Sequence, residues 1–355
     1  DGNVKADIGQ NYDPGCTDEA ECDPIVEPSA ETFIEGDAID EVSGFFKQTA
    51  RSYWSDVVDG YYVEKGGMAS KLTTDRNIFT WVSGTTLTSI SSGVNVPESG
   101  TVPSNDTHIS DSLRNTVLSK SLLGISDASD AEQTALIEWI AGLEREAGDG
   151  STEQLVARQE LEDPLHSQPL IINYEEDKRV LFIGTNSGYL HAFNIDTDTA
   201  GEIFSFIPKE LLTNPDKYAN PQSSFDKVYG MDGKLSYWHK DTNYNGIVYG
   251  SDKVYLYAGM RRGGSSYYAL DITDPESPQM AWQIHGTYQT TEQNVPSMSN
   301  GFGRLGQSWS RALPVQIKWN GASRVVLFFS GGYDLANDSQ TTRTADTYGN
   351  TIYMV

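Results

Sequence analysis

One pattern recurs three times in this chain and restricts its architecture more than any other feature. It is an apolar, β-branched run that closes on glycine, a turn, and a return strand. Val180–Gly184, the turn Thr-Asn-Ser-Gly and Tyr189–Phe193 make the first copy, with Glu202–Ile207 as a further strand. Val254–Gly259, the Gly-rich turn Arg261–Ser265, Tyr267–Asp271 and Ala281–Ile284 make the second. The third begins at Val325–Gly331 and returns, after a long polar loop, at Gly349–Val355. The closing glycines Gly184, Gly259 and Gly331 are 75 and 72 residues apart. Repeated units of this kind, each unable to bury both faces alone, predict a β-propeller. The spacing exceeds the ~45 residues of short-blade propellers, so long insertions are expected between blades, Ser205–Asp252 among them. A closed ring needs roughly four or more blades, and only about three are present. The last strand stops at Val355, so the expectation is a partial propeller over 161–355 whose polypeptide continues.

The segment before it reads differently. Residues 37–160 form a mixed α/β module. Ile39, Val42, Phe45, Phe46 and Ala50 are spaced as one helix, Asn77–Val82 reads as a strand, and Ser112–Leu123 as another helix. From Asp130 to Glu146, Leu136, Ile137, Ile140 and Leu143 make an apolar stripe, with Ser129 and Glu132 at capping-box spacing. The first 41 residues hold thirteen acids and a single base, Lys5. Such a stretch repels itself, and 1–36 is expected to be an extended acidic arm. Cys16 and Cys22, the only cysteines, lie within it, separated by five residues. They suggest a small disulfide loop made outside the cytoplasm, the alternative being two exposed thiols.

The formal charge of −25 argues against nucleic-acid or anionic-membrane binding, because both need basic residues to neutralise phosphate. It favours cations. No run approaches the ~20 apolar residues of a membrane span, so a soluble or already processed chain is expected.

Four motifs carry a resemblance. Leu161-Glu-Asp-Pro-Leu-His-Ser-Gln-Pro169, Phe182-Ile-Gly-Thr-Asn-Ser-Gly-Tyr-Leu-His-Ala-Phe193, Met260-Arg-Arg-Gly-Gly-Ser-Ser-Tyr-Tyr-Ala-Leu-Asp-Ile-Thr-Asp-Pro275 and Ser330-Gly-Gly-Tyr-Asp334 occur in that order. They resemble the PilY/PilC proteins, type IV pilus tip-associated adhesins and assembly factors with a quinoprotein-like β-propeller. Ile137-Glu-Trp-Ile-Ala-Gly142 and Gly66-Gly-Met-Ala-Ser-Lys-Leu72 resemble, less sharply, segments that precede that propeller. The resemblance implies a bacterial, extracellular protein at the pilus tip. Minor pilins or other tip subunits, the rest of its own polypeptide and a surface receptor would be its partners.

One constellation has chemistry of its own. Asp241-Thr-Asn-Tyr-Asn-Gly-Ile-Val-Tyr-Gly-Ser-Asp252 fits a twelve-residue EF-hand loop. Asp241, Asn243 and Asn245 put oxygens at positions one, three and five, Gly246 permits the bend, Ile247 offers its carbonyl at seven, and Asp252 stands at twelve. Alternating oxygens converge on one hard cation only if the chain turns sharply, so Ca2+ is the expected ligand. Asp at twelve is shorter than the usual Glu and only two of the four side-chain ligands are charged, which points to modest affinity. The competing reading is a β-hairpin with Asn245-Gly246 as a type I′ turn between Leu235–Lys240 and Ile247–Gly250. The calcium loop known in PilY/PilC relatives is shorter and has an acid at its ninth position, where this loop has Tyr249. Asn194–Glu202 alternates oxygens with its glycine misplaced and reads as a solvated turn. His166 and His191 read as structural histidines bonded to neighbouring backbone.

No catalytic residue is assigned, and a non-enzymatic pilus protein supporting assembly and adhesion is the leading expectation. The competing classes are a pyrroloquinoline-quinone dehydrogenase on the same kind of propeller and a generic extracellular binding propeller.

Overall fold

The computed structural model describes residues 67–355 apart from 98–99, 104–106, 149–151, 176–177, 197–198, 220–226, 287–297, 340–341 and 343. Before residue 67 it describes only residues 39, 42–43, 47, 50–51 and 54. The acidic arm with Cys16 and Cys22, and most of the helix expected after residue 37, lie outside the described residues. The chain divides into two compact units, Asp1–Lys71 and Leu72–Val355. In the first, Met68–Lys71 forms one 3₁₀ turn. The second holds the sheets.

That unit is mainly β. β1 (Ile78–Thr80) and β2 (Thr88–Ser89) come first, then α1 (Asp130–Ile140) and the hairpin of β3 (Leu143–Ala147) and β4 (Glu153–Ala157). Four consecutive antiparallel strands follow: β5 (Leu170–Tyr174), β6 (Lys178–Gly184), β7 (Leu190–Asn194) and β8 (Gly201–Phe206). After the short helix α2 (Asn214–Ala219) come β9 (Ser236–Lys240), β10 (Ile247–Val248), β11 (Lys253–Gly259), β12 (Ser266–Asp271) and β13 (Gln279–His285). β14 (Leu313–Trp319), β15 (Ala322–Gly331) and β16 (Gly349–Met354) close the described fold.

These strands make three main sheets, none of them closed: β10-β5-β6-β7-β8-β1-β2, β13-β12-β11-β9 and β14-β15-β16. Each expected strand–glycine–strand copy therefore falls in its own sheet, at β6–β7, β11–β12 and β15–β16. The boundary expected at residue 160 lies inside the second unit, where β1 extends the first sheet by pairing in parallel with β8.

The strands form where period-two burial matches the sequence. In β6, Val180, Phe182 and Gly184 are buried and alternate with partly exposed residues. One core packs α1, through Leu136, Ile137 and Ile140, with the first sheet and one face of the second, which supplies Leu256, Ala258, Tyr268 and Leu270. A second core lies between the opposite face of the second sheet, with Tyr257, Tyr267 and Ala269, and the third sheet, with Leu327 and Phe329. The repeat glycines are needed where neighbouring backbone crosses: a Cβ on Gly184 would strike the Met231 carbonyl, and one on Gly259 would lie 3.0 Å from the Ser308 carbonyl.

Two helices end earlier than the pattern suggests. The capping box of α1 is present, Glu132 N donating to Ser129 Oγ (3.2 Å) and Ser129 N to Glu132 Oε2 (2.7 Å). The helix stops at Ile140 because Gly142 takes φ +78° and Leu143 onward pairs as β3. The apolar stripe expected to run to Glu146 thus belongs to two elements. Ser112–Leu123 reduces to one π-helical turn, Leu113–Val117. Gln133 of α1 donates through Nε2 to the Arg114 and Leu118 carbonyls at 2.9 Å each, taking acceptors that a longer helix would use.

Candidate metal centre

The loop from Asp241 to Asp252 follows β9 and precedes β11, two strands that pair with each other in the second sheet. Between them the chain leaves that sheet, and β10 pairs in parallel with β5 at the edge of the first, Ile247 opposite Asn173 and Val248 opposite Tyr174. The hairpin reading is therefore wrong: β9 and β10 belong to different sheets. Val248 is the residue that decides this, because its side chain is buried in the first core while Ile247 stays partly exposed.

Asp241 organises the first half of the loop. Its Oδ1 accepts from the backbone N–H groups of Tyr244 (2.6 Å), Asn243 (3.2 Å) and Asn245 (3.3 Å), and its Oδ2 from Gly246 N–H (2.8 Å). Asn243 Oδ1 accepts from Asn245 N–H and Asn245 Oδ1 from Ile247 N–H. Tyr244 at φ +60° and Gly246 at φ +75° make the bend. Asp252 organises the second half. Its Oδ1 accepts from Thr242 Oγ1 (2.6 Å) and Thr242 N–H (2.9 Å), its Oδ2 from Tyr249 N–H (3.2 Å), and its side chain is fully covered. Both carboxyls are held below the usual carboxylate range, Asp241 first by the Gly246 amide and Asp252 first by the Thr242 hydroxyl.

Positions one and twelve of the loop converge, and His239 converges with them: one ligand atom from each of His239, Asp241 and Asp252 lies within 4.8 Å of the others. Sequence reading missed His239 because it precedes the twelve-residue template. The available signal was strand alternation, which, carried one residue past the end of β9, puts residues 239 and 241 on the same side. His239 Nε2 lies 3.0 Å from Asp252 Oδ2, so the imidazole donates to the carboxylate and orients it. With His239 in that outer role, the donors offered by Asp241, Asn243, Asn245, the Ile247 carbonyl and Asp252 are all oxygens. That set fits a hard cation such as Ca2+.

The other singled-out residues have tertiary partners that spacing did not show. His166 Nδ1 is 2.8 Å from Asp232 Oδ2 and 2.8 Å from Arg261 Nη1. His191 Nδ1 is 2.8 Å from Glu202 Oε1, and its ring stacks between Tyr189 and Phe193. Both histidines are structural, yet they bond carboxylates rather than backbone. Glu202, read as the end of a solvated turn, is buried and takes a two-pronged contact from Arg76 at 2.6 and 2.9 Å. Burial alone would raise its carboxyl. The Arg76 guanidinium and His191 overcome that and hold it down at about 2. The remainder of the Asn194 turn is closed by Asn194 Nδ2 donating to Thr199 Oγ1 and by the Arg179–Asp196 pair. A second buried group ties the second sheet to the turn that follows β8. Tyr268 donates its hydroxyl to Glu210, and Ser266 Oγ lies 2.9 Å from His285 Nδ1.

Arg261 and Arg262 of the third motif bridge the segments that precede β5, precede β14 and follow β15. Arg261 lies over the Trp309 ring, 4.4 Å from its centroid, and Arg262 pairs with Asp338 at 2.7 Å. Trp309 stacks on Tyr333 at 4.6 Å. The Met260–Pro275 and Ser330–Asp334 motifs thus meet in space.

No protein-family profile matches the chain. Two proteins of Xylella fastidiosa described as type IV pilus biogenesis factor PilY1 homologs are similar to it. One is 29% identical over 106 residues, 29% of this chain and 8% of the relative, and the other 34% identical over 108 residues, 30% and 7%. The type IV pilus biogenesis factor PilY1 of Pseudomonas aeruginosa is 29% identical over 107 residues, 29% of this chain and 8% of the relative. The aligned segment is thus under a tenth of each relative's length. The crystal structure of the Pseudomonas aeruginosa PilY1 C-terminal domain is 24% identical where it overlaps, across 46% of this chain and 27% of that one. Its TM-score of 0.31 is too low to bear on the fold. Over about 107 residues the chain is similar in sequence to PilY1 type IV pilus biogenesis factors.

Proposed function

We propose that this protein is a non-enzymatic, extracellular component of the type IV pilus that supports pilus assembly and surface adhesion at the tip. The observation that carries this is the similarity, at about 30% identity, to several PilY1 biogenesis factors. Minor pilins or other tip subunits and a surface receptor are the partners this reading requires. Among the described residues no helix is long and apolar enough to cross a membrane.

In the same proposal the three stacked sheets are blades of a β-propeller. Each shares a core with the next. The outward face of the third sheet, by strand alternation and register, carries Leu313, Val315, Trp319, Ile352 and Met354, all exposed. An apolar sheet face of that size is what a further blade, from the same polypeptide, would cover. The 241–252 loop holds Ca2+ through Asp241, Asn243, Asn245, the Ile247 carbonyl and Asp252.

Two experiments test this. Deletion of the gene should reduce surface pili and adhesion, restored by the intact gene; normal pili and adhesion in the deletion strain would refute the pilus assignment. Calorimetric titration of the protein with Ca2+ should show one site that Asp241→Ala and Asp252→Ala each remove, and binding unchanged in both variants would refute the loop assignment.

A further inference from the structure

The loop described above also presents side chains that neither its fold nor a bound cation uses. Tyr244, at the tip, is 92% exposed and Tyr249 is 68% exposed. Neither ring makes an aromatic or cation contact among the described residues, although both backbone N–H groups are fixed on carboxylates. The rings are therefore displayed from a backbone held at both ends. β9 ties the loop to the second sheet, β10 ties it to the first, and Asp241 and Asp252 hold the turns between them. Little conformational entropy remains to be lost when such a surface is covered, and rigid tyrosines on a Ser, Gly and Asn background are a recurrent recognition device.

The surrounding groups define the chemistry of the ligand. Asn243 and Asn245 each accept one loop N–H on the side-chain oxygen, and each is an exposed residue whose NH2 group carries two donors. Ser251 adds an exposed hydroxyl, 3.3 Å from the Thr242 hydroxyl that donates to Asp252. The two carboxylates face the loop's own donors, Asp252 being fully covered, and no Lys or Arg lies within residues 241–252, which Lys240 and Lys253 flank. An anionic ligand would approach a strongly acidic protein. Twelve residues are also too few for the ~800 Å² per partner of a stable protein interface. A ligand with apolar ring faces edged by hydroxyls fits all of these features.

We propose that the tip of the 241–252 loop binds neutral carbohydrate. Tyr244 and Tyr249 supply flat apolar surfaces for sugar rings, and the amides of Asn243 and Asn245 donate to sugar hydroxyls. The proposal deepens the surface-adhesion reading and rests on it for its biological setting.

The test is affinity electrophoresis of the full chain through gels containing mannan, dextran or galactan, with heparin as the anionic control. Retardation by at least one neutral polysaccharide and none by heparin is expected. In the Tyr244→Ala/Tyr249→Ala double variant that retardation should weaken about tenfold or more, the usual cost of removing aromatic anchors. The same variant should keep the parent circular dichroism spectrum and the parent calorimetric Ca2+ titration, since its ring positions carry no fold contact and no metal ligand. Absence of retardation by all three polysaccharides, equal retardation of parent and double variant, or retardation by heparin alone would each overturn the proposal. So would salt-sensitive binding confined to a basic protein such as lysozyme. Any of these outcomes, with cation binding intact and piliation dependent on the gene, defeats only the carbohydrate assignment.

Discussion

Arg76 and Glu202 offer the most exacting test of the packing described here. Arg76 precedes β1 and Glu202 lies in β8, so their contact fastens the strand contributed by the N-terminal part of the unit to the sheet that follows it. Both side chains are about 3% exposed. Replacing Arg76 by Met keeps most of the volume and leaves Glu202 buried with only His191 beside it. A buried ion pair broken on one side costs about 3–5 kcal/mol. The carboxyl's displacement gives an independent figure: from 4.5 to about 2 corresponds to about 3 kcal/mol of preference for the charged form. Equilibrium urea denaturation followed by circular dichroism should therefore place Arg76→Met about 3–4 kcal/mol below the parent. The sign of the pH effect follows. Glu202 is depressed in the folded state, so its contribution is present above about pH 4.5 and is lost as pH falls toward 2. Parent and variant should converge over that range. The double variant Arg76→Met/Glu202→Leu should recover much of the loss, because no unpaired charge remains. A single-variant loss below about 1 kcal/mol, or one that persists unchanged at pH 2, would refute the assignment of Glu202 as a charged group dependent on Arg76.

Three further outcomes are expected. Ser129→Ala removes one arm of the capping box of α1 and should lower stability by about 1 kcal/mol in denaturant titration. Gly184→Ala sets a Cβ against the Met231 carbonyl, so it should cost about 1–3 kcal/mol, whereas Gly301→Ala, with open space but φ +88°, should cost less. His285 is pushed down to about 4 by burial. The unfolded chain binds its proton first, so stability should fall between about pH 6.5 and 4, and His285→Gln should flatten that part of the profile.

Strand alternation and the closing glycines made much of the β architecture readable in one dimension. β6, β7, β8, β11, β12, β13, β15 and β16 all lie where apolar period-two runs meet turn residues, because those signals are local. The capping box of α1 was readable for the same reason. The length of α1 was not. Leu143 continues a helical stripe as well as it begins a strand, and the choice falls to Gly142 and to the partner strand β4. The π-helical turn at Leu113–Val117 is likewise shortened by a distant side chain, Gln133.

The candidate site divides along the same line. Asp241, Asn243, Asn245, Gly246 and Asp252 form a recognisable spacing, since a loop that wraps its own oxygens is a local object. Sequence by itself therefore determined the repeated strand units, the acidity and the loop's donor order. Tertiary structure decided that the loop bridges two sheets, that His239 supports Asp252, and that Glu202 is a buried partner of Arg76. Each of those depends on residues far apart in the chain, or on a strand choosing one neighbour over another. Pairing energies become decisive only after the sheets stack and exclude water, and no local pattern encodes that step.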